Sequence, residues 1–165
     1  LKTEPKASEW TERVVKIRRV TMVVKGGKKL SFRAVVVSGN NNGMVGVGVG
    51  KSGEVVGAIQ KAVSDAKKNS IKVPVFKTTI PHIVEGASGA GSVVLKPASM
   101  GTGIIAGGSV RAVLELAGVE NILSKSLGSK SPLNAARATI NALKNSRPFK
   151  ETARKRGLTV AEMLS

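Results

Sequence analysis

The chain has 165 residues, enough for one domain or two small ones, and 27 Lys and Arg against 10 Asp and Glu leave a net charge of +17. A hydrophobic fraction of 41% is that of a packed core and not of a disordered chain. The absence of Cys rules out a disulfide framework, a thiolate metal site and a cysteine nucleophile, and no apolar run reaches the length of a membrane-spanning helix.

Residues 1–12 read as a tail of Lys, Glu, Ser, Thr and Pro around Trp10. Residues 14–24 are rich in β-branched side chains and predict a strand, with Val15, Ile17, Arg19, Thr21 and Val23 on one face. Lys25-Gly26-Gly27-Lys28-Lys29 predicts a turn, because glycine reaches positive φ without steric cost. Residues 30–38 alternate as a second strand, with Phe32, Ala34 and Val36 on one face and Ser31 and Arg33 on the other. Gly39-Asn40-Asn41-Asn42-Gly43 predicts a second turn, and a third strand follows in which Val45, Val47 and Val49 alternate with Gly46, Gly48 and Gly50. From Glu54 to Asn69 the period becomes helical, through Val55, Val56, Ile59, Ala62, Val63 and Ala66. An antiparallel three-stranded meander covered by one helix is a complete two-layer unit.

Ile71 to Phe76 reads as an extended connector, since Pro74 does not suit a central strand, and a domain boundary is expected near Phe76 to Thr79. Two extended segments follow, Ile80 to Glu85 and Ser92 to Lys96, joined by the Gly-rich Gly86 to Gly91. A second Gly-rich loop leads to a helix opened by Gly108-Ser109 and stopped by Gly118. Val119 to Leu127 predicts a strand. Ser131 then caps a further helix with Pro132 at its first position, running through Leu133, Ala136, Ile140 and Leu143. The fold class is α+β: a sheet-and-helix domain over 13–77, a small two-layer α/β domain over 78–145, and a basic tail or helix over 146–165.

The charge is uneven. From Arg13 to Gly53 there is no acid against nine bases: Arg13, Lys16, Arg18, Arg19, Lys25, Lys28, Lys29, Arg33 and Lys51. Lys61, Lys67 and Lys68 follow on the predicted helix, and Lys144, Arg147, Lys150, Arg154, Lys155 and Arg156 form a second cluster around Glu151. Such a surplus points to a polyanionic partner, nucleic acid first and an anionic membrane surface as its rival. No helix here combines a strongly basic face with a bulky apolar one, which disfavours the membrane. The only aromatics are Trp10, Phe32, Phe76 and Phe149, so contact through phosphate and RNA shape is favoured over base stacking.

Catalytic readings fare poorly. Gly48-Val49-Gly50-Lys51-Ser52-Gly53 matches G-x-G-x-x-G, but it leaves an antiparallel strand and lacks the acid about 20 residues on. The alternative is that small residues there admit a neighbouring backbone, with Lys51 and nearby amides still able to meet phosphate. His82 is the single His and Asp65 the single Asp, too few for a metal cluster or a catalytic pair. No catalytic residue, metal or cofactor is assigned; an enzyme of RNA or nucleotide metabolism built on the Gly-rich loops remains the rival hypothesis.

Two long stretches, Val24 to Asn69 and Lys96 to Val119, followed by SPLNAARATINAL, resemble the family of small-subunit ribosomal protein five of the bacterial type. The resemblance covers about residues 12–165. It implies a first domain resembling a double-stranded-RNA-binding fold, a second α/β domain, and a structural role without catalysis. It further implies contact with small-subunit ribosomal RNA, support of decoding accuracy, and a place beside the messenger RNA entry path next to small-subunit proteins four and eight. By motif, the turn through Lys25, Gly26, Gly27 and Lys28 matches the loop that reaches ribosomal RNA near the spectinomycin site. Arg18 and Arg19 match basic positions on the messenger entry side. Gly103 and Arg111 match positions at the contact with protein four. The wording WTERVVKI resembles cyanobacterial or plastid members, and a chain that begins with Leu is expected of an imported, trimmed plastid protein. A plastid ribosome is therefore expected, with the bacterial cytoplasm as the alternative.

Overall fold

Valine and glycine alternate along the third strand, and that alternation organises the molecule. The structure, a computed structural model, describes residues 9–165. Strands β1 (Thr11–Val24), β2 (Gly27–Gly39) and β3 (Met44–Ser52) form the predicted antiparallel meander. A fourth short strand, β4 (Ile71–Lys72), pairs with Met44 and Val45 of β3, within the segment read as connector. Thr11 and Glu12 pair with Gly39 and Ser38, so β1 begins inside the segment read as a tail; residues 1–8 of that segment lie outside the described residues.

Helix α1 (Val55–Lys68) lies against the glycine face of β3. Its buried row is Ala58, Ala62 and Ala66, one per turn. A Cβ on Gly46, Gly48 or Gly50 would run into the backbone carbonyl of Ala66, Ala62 or Ala58 respectively. Glycine facing alanine thus brings helix and strand backbones into direct contact, and the G-x-G pattern is a packing surface. Val56, assigned by period to the apolar face, is 65% exposed, because the contact is centred on the alanines. Phe32, Ala34 and Val36 share the α1 side of β2, as their alternation predicts.

The second sheet has the order β5-β6-β8-β7, from β5 (Val84–Ser88), β6 (Gly91–Pro97), β7 (Ile104–Ile105) and β8 (Ile122–Gly128), with β7 and β8 parallel. Helices α2 (Gly108–Ala117) and α3 (Pro132–Asn145) pack with it, and α4 (Phe149–Arg156) and α5 (Val160–Leu164) complete the described chain. The extended segment expected at Ile80 to Glu85 is displaced: Ile80 to Ile83 is irregular, and Gly86 to Ser88, read as part of a link, is strand. Gly86 belongs in the strand because α3 lies directly on it; a Cβ there would meet the Ala138 carbonyl and the Ala142 backbone. Ser131 occupies the N-cap of α3, but its side chain makes no capping bond; its N–H donates to Ser129 Oγ at 3.2 Å.

The valine face of the meander is also buried. Val35 and Val37 of β2 and Val45 and Val47 of β3 join Val110, Val113, Leu114 and Leu143 of α2 and α3 in one continuous core. The Asn40–Gly43 turn closes that contact: the N–H groups of Asn41 and Gly43 donate to the Leu116 and Ala117 carbonyls, each at 3.0 Å. Two carbonyls that a helix end normally leaves unpaired are satisfied by the other half of the chain. Gly48→Ala should therefore destabilise the protein by about 2 kcal/mol or more in urea unfolding, an effect absent if the strand had free space over Gly48.

Candidate nucleic-acid interface

In an antiparallel pair, residues directly opposite point to the same face. Arg18 of β1 faces Arg33 of β2, and Arg33 faces Lys51 of β3. Three cations therefore form a row across three strands, on the face away from α1. Lys16, opposite Val35, and Lys29, opposite Met22, share that face. Like charges placed directly opposite are destabilising, so the row costs the free protein stability and suits an anion laid across it.

A β-bulge sets this arrangement. The register of β1 shifts between Val14 and Lys16, leaving Val15 unpaired. Before the shift Arg13 shares a face with Val37; after it Lys16 and Arg18 share that same face with Val35 and Arg33. Strict alternation would place Arg13 and Lys16 on opposite sides. It also assigns Val15 to the face of Ile17, Arg19, Thr21 and Val23, whereas Val15 packs against the valine-side core.

α2 and α3 cover the valine face only in part. Where that cover ends, Lys16, Arg18 and Arg33 line a recess with Ser131, Pro132 and Leu133 at the start of α3. Beyond it β1 and β2 continue as a free two-stranded arm, since β3 pairs with β2 only from Phe32 onward. Every residue from Thr21 to Leu30 is exposed, including Val23 at 76% and Met22 at 56%. At its tip Lys25 and Gly26 form a two-residue turn between Val24 and Gly27, and Gly27 has a φ of 136° that only glycine adopts freely. Lys25, Lys28 and Lys29 are thus carried on a projecting arm.

The remaining predicted residues divide. Arg19 and Lys28 lie on the opposite face of the arm, opposite Phe32 and Val23. Lys61 is at the edge near Lys51, its Nζ 3.4 Å from the Lys51 carbonyl oxygen. Lys67 is paired with Glu12 at 2.8 Å, and with Lys68 it sits at the far end of α1, away from the cation row. Arg13 is also engaged: it pairs with Glu115 of α2, which Arg111 holds from its other side at 2.8 Å. The hydrogen bond from Arg111, with the charge of Arg13 beside it, keeps the Glu115 carboxyl below its ordinary range despite partial burial. The Arg13–Glu115 pair therefore joins the two halves, and Arg111 holds the shared carboxylate from within α2.

Gly103, at a φ of 72°, lies in the Gly-rich loop ahead of β7, and Ile104 and Arg111 line one surface recess. Asn121, not singled out in the sequence, organises this loop: its buried Oδ1 accepts from the N–H groups of Gly101 and Gly103 at 3.1 and 3.0 Å. One Asn inside the strand predicted over Val119 to Leu127 carries no signal for such a role, and the observed strand begins after it, at Ile122. Among the described residues no group of His, Asp and Glu could hold a metal ion, and no helix is long and apolar enough to cross a membrane.

Two family models match the chain in succession: "Ribosomal protein S5, N-terminal domain" over residues 10–74 and "Ribosomal protein S5, C-terminal domain" over 86–156. The chain belongs to the ribosomal protein S5 family. It is 59% identical over 165 residues to the small ribosomal subunit protein uS5 of Gloeothece citriformis, covering 99% of this chain and 95% of that one. It is 60% identical to the protein of the same name in Picosynechococcus sp., over 96% and 92% of the two chains. It is also 58% identical to uS5c of Rhodomonas salina, over 96% and 95%. Ribosomal protein S5 family members are structural ribosomal proteins and not enzymes, in keeping with the sheet-and-helix unit followed by an α/β sheet unit seen here.

The cation row gives a direct prediction for this S5 chain. Arg33→Gln removes the middle charge and should raise the stability of the free protein at low salt by about 0.5 kcal/mol, a gain that 1 M salt removes by screening. Thermal unfolding at the two salt concentrations measures both.

Proposed function

We propose that the chain is a structural constituent of the small ribosomal subunit that binds small-subunit ribosomal RNA along the arm and the cation row. The row Arg18–Arg33–Lys51 carries the reading. It aligns cations across three strands with no acid between them, a placement that costs stability in the free chain and is relieved by phosphate. Lys16, Lys25, Lys28 and Lys29, the exposed backbone of Gly26 and Gly27, and Arg19 extend the contact along the arm. Lys61 adds to its edge. Arg13, Lys67 and Lys68 act at a distance, the first two through the ion pairs that fix β1 to α2 and α1.

The surface around Gly103 and Arg111 is the protein-facing side, taking small-subunit protein four. Met100, 80% exposed, and Ile105, 53% exposed, supply apolar area there that RNA phosphates would not use. Small-subunit protein eight is the other neighbour, and the arm lies at the messenger RNA entry path, which links the chain to decoding accuracy. Cyanobacterial relatives together with uS5c of Rhodomonas salina support a plastid ribosome, with a bacterial-type cytoplasm as the alternative.

Binding to a small-subunit ribosomal RNA fragment, followed by filter retention across a salt series, tests the electrostatic core of this reading. With about six phosphates neutralised, log K should fall with log salt at a slope of about −5. Replacing Arg18, Arg33 and Lys51 together by Gln should flatten it by about three units. A wild-type slope near zero, or a triple variant with an unchanged slope, contradicts it.

A further inference from the structure

We infer that the cleft between the carboxy-terminal helices and the segment ahead of β5 binds one unpaired nucleotide of single-stranded RNA, the base against Phe149 and the phosphate on Arg147 and Arg156. The inference rests on the RNA-binding reading above and adds a second contact of different chemistry. The cleft encloses about 490 Å³, within the roughly 300–1,000 Å³ of small-ligand sites. Its lining includes His82, Asn145, Arg147, Phe149, Arg156 and Met163.

The walls are preset. The backbone N–H of Arg147 donates to His82 Nε2 at 3.0 Å, and the ring's Nδ1 lies 2.9 Å from the Ile83 carbonyl oxygen. This clasp fixes the chain where Arg147 enters the cleft. Phe149 is held by Phe76, edge to face, with ring centroids 4.6 Å apart and planes at 83°. Phe32 is packed with Ala34 and Val36 beneath α1, so Phe149 is the aromatic ring that a basic cleft presents.

The electrostatics select an anion. Among the described residues no carboxylate pairs with Arg147 or Arg156, while Glu151, the acid of α4, is tied to Lys155 at 2.9 Å. That bond, with the charges of Lys155, Arg147 and Arg154, keeps the Glu151 carboxyl ionised below its ordinary range. An acidic peptide would satisfy the arginines but would leave Phe149 and Met163 facing carboxylates. A nucleotide places a flat ring on the aromatic wall and an anion on the guanidinium groups at once.

The test titrates the full chain with a labelled oligoadenylate and, separately, with a duplex RNA of equal length. Phe149→Leu should weaken oligoadenylate binding by about tenfold or more. The Arg147→Gln, Arg156→Gln double variant should flatten its log–log salt slope by about 1.4. Duplex affinity, carried by the distant arm, should stay within about twofold in both. Ultraviolet cross-links of the oligoadenylate should map to the peptide containing Phe149. Both arginines are exposed, so the double variant reads the site even where Phe149→Leu fails to fold. The proposal is overturned if the double variant binds oligoadenylate as wild type does, if the cross-links map only to residues 16–33, or if oligoglutamate displaces the oligoadenylate at equal concentration. Loss of duplex binding by the wild-type chain would instead overturn the RNA reading on which it rests.

Discussion

Ala34 to Gly39 of the second strand and Val45 to Gly48 of the third are buried on both faces, and the rest of the structure follows from that constraint. On one face Gly46, Gly48 and Gly50 admit the alanine row of α1 to backbone contact. On the other, Val35, Val37, Val45 and Val47 are covered by α2 and α3 of the second half. The sheet could not serve both neighbours with side chains of one size. Its α1 side is narrow and its valine side is wide, so a sheet with helices on both faces is assembled from two short halves. The turn at Asn41 to Gly43 completes this junction by pairing the last carbonyls of α2.

The same constraint locates the charge. Cover on the valine face stops at the beginning of α3, and beyond it the sheet needs no apolar side chains. Lys16, Arg18, Arg33 and Lys51 occupy that uncovered face, followed by the free arm. The Val15 bulge brings Lys16 and Arg18 onto the side where Arg13 already meets Glu115. One extra residue in one strand therefore joins an ion pair at the junction of the halves to a cation row on the open surface.

Much of this was legible from the order of residues. Alternation in residues 30–38 and 45–50 and the helical period from Glu54 to Asn69 describe the first unit, since turn chemistry and period are local properties. Gly118 stops α2 as its position implies, with a φ of 86°. What failed was non-local. The Val15 bulge has no glycine or proline to mark it. β5 was placed too early because a glycine that admits α3 looks like a glycine that makes a loop. The engagement of Arg13, Lys67 and Arg111 depends on acids distant in sequence or one turn away, so a count of bases overstated the free positive charge. The length of the arm was equally invisible: Thr21 to Val24 has the composition of a buried strand, and only the end of β3 pairing shows that it projects.

The central claim is that the sheet face left uncovered by α2 and α3, with the arm beyond it, is where RNA lies. Amide hydrogen exchange of the full chain, free and bound to small-subunit ribosomal RNA, reads this strand by strand. The account predicts that binding slows exchange along Lys16 to Arg33 and around Lys51, while the end of α1 at Lys67 and Lys68 stays as it is in the free chain. Slowing confined to α1, with the arm unchanged, would contradict it.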